Sequence, residues 1–344
     1  MKNVFLLRRM LMSQTWSMMR VYPSGTLPIT LVANISGMPD KESVSYGLSD
    51  DGTHYIVTRI GTATKTDINI APSVDGIPVK KVGYGAFGNT KITSIILPDD
   101  IVEIGQYAFN LCANLEDINF PINLTSIGDM AFRGCKALTN VVLPDKVEAI
   151  NAYTFADCTS LKSFTLGKSF NSFLHSALTG CTALEEILVH AENEYYFSHD
   201  GVLYNEAGTL VLYPVGKTAT SYIVWNGTET IGTDAFSGAS KLTNIVFQNS
   251  NLRVINSRAF KNCTALKSVV LPPMLNTIGT EAFYGCTSLG TVDLSRFSSS
   301  FPVVKTGAFN GHASAFQILV RAGRKSALLA TSGWSQYASY VVEV

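Results

Sequence analysis

The side chains of this 344-residue chain with the most reactive chemistry are its six cysteines, and they recur at a regular interval. Thiols can bind metal ions, form disulfides or act as nucleophiles. Neither disulfide frameworks nor metal sites use one long fixed interval, whereas structural repeats do. Four of the cysteines follow one another 23 residues apart, and the same interval separates the last two: Cys112, Cys135, Cys158, Cys181, Cys263 and Cys286. The interval indicates a 23-residue repeat in which free, buried thiols form one interior column of small apolar side chains.

A second group of possible ligands is a short segment rich in histidine and carboxylate. Its spacing matches no standard metal site, so a solvated loop is the favoured interpretation. The chain also has no glycine-rich phosphate loop, no GxSxG motif and no HExxH motif. The sequence therefore predicts a protein that is not an enzyme and that needs no cofactor. The segment comprises His190, Glu192, Glu194, His199 and Asp200.

Each repeat carries further landmarks besides the cysteine. An Ile-Gly pair is followed by Ala-Phe, then Cys, then Leu, and then an alternating apolar stretch that often ends in Pro. The alternation predicts a short strand with one buried face. The part from Ile-Gly to Cys is predicted to be helical or 3-10, closed by a left-handed residue at Gly134, Gly180, Asn262 and Gly285. Six phenylalanines are predicted to stack as a core spine: Phe109, Phe132, Phe155, Phe236, Phe260 and Phe283.

The repeat resembles the BspA-like class of leucine-rich repeats, whose unit has the form IGxxAFxxCxxLxxIxLP, over residues 82 to 320. One such coil cannot bury its apolar face alone, but stacked coils can. The resemblance implies an α/β repeat solenoid with one parallel β-sheet and short helical or 3-10 turns on the opposite side. Residues 43–81 are expected to form an N-terminal β cap, and residues 321–344 a C-terminal cap with a short helix and a final strand.

An insertion at residues 191–225 delays the next repeat. Val202-Leu203-Tyr204 and the stretch 210–213 read as two strands around a glycine-containing turn, which predicts a β-hairpin. We favour a hairpin that is structural. The alternative is a projecting arm that contacts a partner through four exposed tyrosines. These candidate residues are Tyr195, Tyr196, Tyr204 and Tyr213.

Residues 1–42 differ from the rest of the chain, because six of the eight methionines lie in the first 40 residues. This segment reads either as a leader or as a segment that docks the solenoid into a larger assembly through residues 1–40, since methionine-rich apolar surface adapts to partners. Neither interpretation is favoured.

The charge balance limits the partners that the protein can have. Lysine and arginine together number 26, as do aspartate and glutamate, and charged residues make up 15% of the chain. Nucleic acid and anionic membrane surfaces require a basic field, so neither is expected as the main partner. No apolar run of the sequence is long enough to span a membrane.

The outward positions of the predicted strands are the best candidates for binding. One column is small and polar, and the second is unexpectedly apolar for a surface exposed to solvent. Either β-branched residues simply suit a strand, or the second column is a shallow binding stripe, and the two interpretations carry equal weight. The polar column comprises Ser94, Asp117, Asn140, Ser163, Glu186, Asn244, Ser268 and Thr291. The apolar column, which ends at Asp293, comprises Ile96, Asn119, Val142, Thr165, Leu188, Val246 and Val270.

Two functions follow as expectations. The family resemblance implies a non-catalytic binding or adhesion module that presents an extended surface to a protein or a cell-surface ligand, with an extracellular or cell-surface location. The alternative is a structural or receptor-binding component of a virion or another large assembly, docked through its N-terminal segment.

Overall fold

The computed structural model describes residues 44–60, 66–248 and 251–344, and all structural statements below concern these residues. They form a solenoid of stacked coils in which most coils contribute one strand to each of two rows of parallel strands. The repeat solenoid predicted from the sequence is therefore confirmed. The segment 1–42, predicted to be a leader or a docking segment, lies outside the described residues.

The first row, here termed the front ladder, contains the strands that the alternating apolar stretches predict. Its strands form a three-stranded, a second three-stranded and a six-stranded sheet along the solenoid. They are β3 (Asp67–Asn69), β6 (Ser94–Ile96), β8 (Asp117–Ile118), β10 (Asn140–Val142), β11 (Ser163–Leu166), β12 (Glu186–Val189), β16 (Ser221–Ile223), β18 (Asn244–Val246), β20 (Ser268–Val270), β22 (Thr291–Asp293), β24 (Gln317–Val320) and β25 (Val341–Glu343).

The second row, here termed the Ile-Gly ladder, was not predicted, since the sequence indicated one parallel sheet. Its repeat strands are mostly two residues long, which is too short for an alternating pattern to be visible. They pair in parallel from coil to coil, as Ile104 does with Ile127. The strands are β2 (Tyr55–Ile60), β5 (Ile77–Val82), β7 (Glu103–Ile104), β9 (Ser126–Ile127), β15 (Thr209–Leu212), β17 (Thr230–Ile231), β19 (Val254–Ile255), β21 (Thr277–Ile278) and β23 (Val303–Val304).

The segment between the Ile-Gly ladder and the cysteine is a tight turn in most coils. The 3-10 helix that was expected there is present in one described coil, at His175–Leu178. Elsewhere two residues per coil adopt left-handed backbone, one directly before Ala-Phe and one directly before Cys. The left-handed stop predicted at Gly134, Gly180, Asn262 and Gly285 is confirmed, with φ values of 74°, 80°, 59° and 72°.

Phenylalanine rings stack in an interior column, as predicted. The insertion at residues 191–225 divides the solenoid into a first half before it and a second half that begins with β16. In the first half the ring centroids of Phe109 and Phe132 lie 5.0 Å apart, and those of Phe132 and Phe155 lie 5.1 Å apart. In the second half Phe260 lies 4.8 Å from Phe283. These rings are fully buried, so the column provides much of the apolar burial that holds successive coils together.

The six cysteines form a second interior column, and all of them are buried and free. Each thiol donates a hydrogen bond to the carbonyl of the residue that holds the phenylalanine position one coil earlier. For example, Cys135 Sγ lies 3.2 Å from the carbonyl oxygen of Phe109, and Cys286 Sγ lies 3.1 Å from that of Phe260. Burial raises the pKa of the Cys181 thiol to about 12. The prediction of a buried thiol column is confirmed.

The insertion forms a three-stranded antiparallel meander of β13 (Tyr196–His199), β14 (Val202–Asn205) and β15. The predicted hairpin is present as β14 and β15, and β15 then pairs in parallel with β17 of the Ile-Gly ladder. The insertion thus returns the chain to the solenoid in register. It also divides the front ladder, because β12 ends one sheet and β16 begins the next.

Both ends of the described solenoid are covered by pairing strands. At the first end β1 (Val44–Leu48) pairs antiparallel with β2, and β4 (Ser73–Val74) pairs antiparallel with β5. At the other end the helix α1 (Lys325–Ala330) and a 3-10 helix at Ser335–Tyr340 precede β25. Trp334 between them is fully buried, and its Nε1 donates to the carbonyl of Pro302 at 2.7 Å.

Candidate binding surface

The front ladder of the first half offers less exposed apolar surface than its sequence indicates. Ile96, Val142 and Leu188 are half-buried between neighbouring side chains. Thr165 was a candidate contact residue, but it is only 5% exposed. That expectation is wrong, because on a tightly packed ladder the flanking strands cover so small a side chain.

Asn119 has a structural role in the same stripe. Its side-chain Nδ2 donates to the carbonyl of Leu97 at 2.7 Å, and its Oδ1 accepts from the backbone N–H of Leu97 at 2.7 Å. The amide therefore continues the ladder by one step beyond the end of β8. Because both ends of the amide are engaged in the coil-to-coil contact, Asn119 has lost most of its capacity to recognise a partner.

The second half presents an apolar stripe that is partly exposed, here termed the C-terminal front stripe, which comprises Ile223, Val246 and Val270. Ile223 pairs in register with Val246 across β16 and β18, and Val270 follows on β20. Ile223 is 51% exposed and Val270 is 38% exposed, with Val246 half-buried between them. The in-register column ends at Asp293, whose carboxylate accepts from the backbone N–H of Ser295 at 2.8 Å.

Ile223 was not predicted as a candidate residue. The coil that contains it follows the insertion and lacks the Ala-Phe and Cys landmarks by which the other strands were aligned. The alternation of Tyr222, Ile223 and Val224 gives the missing signal, because Tyr222 and Val224 are buried and Ile223 points outward. Small polar residues flank the stripe, and the amide of Asn244 lies 3.2 Å from the hydroxyl of Ser221.

The four tyrosines of the insertion do not form an exposed arm. Tyr195 is 50% exposed and Tyr196 is half-buried, whereas Tyr204 is fully buried and Tyr213 is 2% exposed. The expectation that all four face solvent is therefore wrong for Tyr204 and Tyr213. Both rings are packed in the core, which supports a structural role for most of the insertion.

Tyr213 takes the place of a phenylalanine in the interior column. Its ring stacks on Phe236 with 4.8 Å between centroids, and its backbone N–H donates to the carbonyl of Ala235 at 2.8 Å. Burial raises the pKa of its hydroxyl to about 12, and that hydroxyl has no hydrogen-bond partner among the described residues. The column of stacked aromatic rings of the second half therefore extends into the insertion through Tyr213.

Tyr204 closes the core beside Tyr213. Its hydroxyl lies 2.8 Å from that of Tyr222 and accepts from the backbone N–H of Trp225 at 3.3 Å. Burial raises the pKa of Tyr204. This buried pair of hydroxyls joins β14 of the insertion to β16, the first strand of the six-stranded front sheet.

Lys217 fastens the insertion to the coil before it. Its Nζ donates to the carbonyl of Asp200 at 2.7 Å and to that of Glu185 at 3.3 Å. Burial lowers the pKa of this ammonium group, and the nearby carboxylates of Asp200 and Glu186 partly oppose that effect. The contact joins the insertion to the carbonyl of Glu185 at the end of the preceding coil.

The segment rich in histidine and carboxylate is held by other contacts. Glu192 forms a 2.7 Å ion pair with Lys168, and its backbone N–H donates to the ring nitrogen Nδ1 of His190 at 3.1 Å. His199 lies 3.8 Å from the carboxylate of Asp200. Within the described ranges no group of three or more His, Cys, Asp or Glu side chains is arranged to hold a metal ion.

The fold and its repeating columns define the protein as a leucine-rich-repeat solenoid. Residues 80–200 and 217–319 match the family described as BspA type leucine rich repeat region, in six copies. The chain therefore belongs to the BspA-type leucine-rich repeat family, as the sequence resemblance predicted. Proteins of this family are generally non-catalytic scaffolds that bind proteins. None of the helices in the described ranges is both long and apolar enough to cross a membrane.

Two solved structures share this fold, and a third is also similar. A leucine-rich repeat protein from Eubacterium ventriosum aligns with a TM-score of 0.61 at 21% identity, over 81% of this chain and 76% of that one. The pneumococcal vaccine antigen PcpA aligns with a TM-score of 0.52 at 18% identity, over 89% and 96%. A leucine rich cell surface protein from Faecalibacterium prausnitzii aligns with a TM-score of 0.43 at 22% identity, over 87% and 99%. A search of curated proteins found no match.

Proposed function

We propose that this protein is a surface-located binding module that recognises a partner protein through the front ladder, with the C-terminal front stripe at the centre of the contact. The observation that carries the proposal is the placement of Ile223, Val246 and Val270 on three adjacent strands, with Ile223 and Val270 exposed and Val246 half-buried between them. Strands in a sheet lie about 4.8 Å apart, so the three side chains form one contiguous apolar row of roughly 10 Å. Contiguous exposed apolar surface on a soluble scaffold marks interaction sites.

The surroundings of the stripe support the same conclusion. Ser221, Asn244 and Ser268 lie beside it and are exposed, so they can supply hydrogen bonds around an apolar centre. Protein interfaces commonly have this anatomy of an apolar core and a polar rim. The six-stranded sheet beneath is fixed by the buried columns, which lowers the ordering cost of binding.

The surface location rests on the family and on the fold shared with a pneumococcal vaccine antigen. The alternative of a virion component or another large assembly depends on residues 1–40, which lie outside the described residues, and it stays a prediction.

A matched pair of triple variants tests the proposal. Labelled protein is applied to an array of purified host and bacterial surface proteins, and the affinity of each protein that binds is then measured. Ile223→Thr, Val246→Thr and Val270→Thr together should weaken binding by about tenfold or more, because the apolar centre is lost. The control carries Ile96→Thr, Val142→Thr and Leu188→Thr on the first half of the same ladder, and it should keep its affinity.

Circular dichroism melts of both variants check that the solenoid is intact. Equal weakening by the two triple variants would contradict the central role of the second half. If the unaltered protein bound none of the array proteins, the proposed binding function itself would be contradicted.

A further inference from the structure

A row of large apolar side chains lies on the turns of the first half, away from the front ladder. It comprises Tyr84, Tyr107, Met130 and Tyr153, here termed the turn ridge. Tyr107, Met130 and Tyr153 occupy the left-handed position directly before the small residue and phenylalanine of three successive coils, and Tyr84 lies on the coil before them. Tyr84 is 72% exposed and Tyr153 is 43% exposed.

Two neighbouring members of the ridge touch each other across coils, and Tyr107 and Met130 are half-buried. The rings of Tyr84 and Tyr107 meet edge to face with 5.5 Å between centroids. Successive coils are separated by about 4.8 Å, so the four side chains span roughly 15 Å. Tyrosine and methionine supply large contact area with adaptable packing, and tyrosine is enriched at the centres of interfaces.

The same turns of the second half have the opposite chemistry. Asp234, Arg258 and Glu281 occupy the equivalent position, and cross-coil ion pairs engage them. Arg258 Nη2 lies 2.7 Å from a carboxylate oxygen of Asp234, and Lys261 Nζ lies 2.8 Å from one of Glu281. The apolar ridge is therefore a property of the first half alone and does not come with the repeat.

The chain enters the described solenoid beside the ridge. Val44, the first described residue, pairs with Ile60 in the antiparallel pair of β1 and β2. The backbone N–H of Ile60 donates to the carbonyl of Ala86 at 2.8 Å, two residues from Tyr84. Residues 1–43 are therefore tethered at the end of the solenoid where the ridge begins.

The tethered residues have the composition of an apolar ligand. They hold six of the eight methionines of the chain together with Phe5, Trp16 and several leucines. The length is ample, because even a dozen extended residues reach about 40 Å and the ridge spans roughly 15 Å. Tethering also raises the effective concentration to about the millimolar range, so a weak contact suffices.

We propose that the turn ridge binds residues 1–43 of the same chain. Their methionine and aromatic side chains pack on Tyr84, Tyr107, Met130 and Tyr153, which removes the ridge from water. The contact uses a surface distinct from the C-terminal front stripe, so its failure and that of the proposed function are separable.

Photocrosslinking in the full chain tests the contact. A benzophenone amino acid replaces Tyr153 in one protein and, as the control, Tyr284 in another. Tyr284 is a turn tyrosine of the second half with nearly the same exposure, 41% against 43%. The probe at position 153 should link to a peptide from residues 1–43 with a yield that dilution does not change, and the probe at 284 should not.

Other crosslinking results would overturn the proposal. These are the absence of any link from position 153 to residues 1–43, a link that forms only between two copies and fades on dilution, and equal linking from the control position. A melt of each labelled protein checks that the coils remain folded.

Tryptic cleavage gives a second readout that does not need the probe. Cleavage after Arg20 requires that segment to leave the ridge, so its rate follows the unbound fraction. Tyr107→Ser with Met130→Ser should speed this cleavage by about tenfold. The control pair, Asp234→Ser with Arg258→Ser, lies at the equivalent turns and should leave the rate unchanged. An unchanged rate in the first pair would contradict the proposal.

Discussion

The turns of the two halves of the solenoid have the same backbone conformation, but the side chains that they present to solvent differ in chemistry. Tyr107, Met130 and Tyr153 have φ values of 59°, 54° and 56°. The corresponding Asp234, Arg258 and Glu281 have values of 57°, 56° and 54°. Aromatic and apolar side chains thus project from the first half where charged side chains project from the second.

The repeating backbone, and not the side chain at this position, fixes the conformation of the turn. A left-handed residue other than glycine costs roughly 1–2 kcal/mol, and each half bears that cost in three of its coils at this position. Hydrogen bonds between coils, such as the one from the backbone N–H of Tyr107 to the carbonyl of Asp129 at 3.1 Å, hold the conformation. The side chain at this position is therefore free to serve a local purpose, ion pairing in one half and apolar contact in the other.

The largest effect is expected in the phenylalanine column, which the core of each half contains. Phe132→Ala and Phe260→Ala should each destabilise their own half by about 3–5 kcal/mol, because each leaves a cavity in a stacked column. Native-state hydrogen exchange resolves the two halves separately. Tyr284→Ala, at an exposed turn, serves as the control and should cost far less. A large difference between the two phenylalanine variants would show that the halves have different cores.

The second largest effect is expected at alkaline pH, which should destabilise the first half more than the second. Burial raises the pKa of Cys112, Cys135 and Cys158, and it raises that of Cys181 to about 12. A thiol whose pKa is raised in the folded state stabilises the fold fully below its unfolded pKa of about 9. That contribution falls as pH rises from about 9 towards the folded pKa. For Cys181, whose folded pKa is about 12, the loss at pH 10 is about 1 kcal/mol.

The first half contains four such thiols, and in the second half Cys263 has a raised pKa. Hydrogen exchange followed from pH 8 upward and kept below pH 10, the ordinary pKa of the buried tyrosines Tyr204, Tyr213 and Tyr222 in the core of the second half, should therefore show the first half opening before the second. Cys158→Ala should flatten this dependence in the first half. Parallel losses in the two halves, or no effect of the substitution, would contradict thiol ionisation as the cause.

The smallest effect is expected at the charged turns. Arg258→Ala removes the ion pair with Asp234, in which the two side chains are 45% and 28% exposed. Ion pairs this exposed contribute less than about 1 kcal/mol. The loss should disappear in molar salt, which screens the pair in the unaltered protein. A salt-independent loss would show that Arg258 supports the turn by packing of its aliphatic stem.

Much of the fold could be predicted from the sequence because each repeat has the same residue type at the same position, so that like side chains form one column in the solenoid. The interval of the cysteines located the buried thiols, and the Ala-Phe pairs located the aromatic column. The Ile-Gly ladder could not be predicted, since two-residue strands such as Glu103–Ile104 show no alternation. Left-handed backbone at Tyr107 and Met130 was equally hidden, because neither residue type favours it.

The candidate surface was predicted less well, for reasons that lie in individual side chains. Alternation places Thr165 and Val270 in the same outward column, but only their neighbours decide that the first is 5% exposed and the second 38%. The exposure of the tyrosines in the insertion was mispredicted for a different reason. Tyr213 reads as a surface tyrosine of a hairpin, although it fills a phenylalanine position in the core.

That substitution of Tyr213 for phenylalanine has a consequence for how the gene can change. Since the insertion rejoins the column in register, whole coils on either side of it can be gained or lost by unequal crossing-over without disturbing the coils that remain. The length of the molecule, and with it the reach of any surface it presents, is therefore open to variation in steps of one coil.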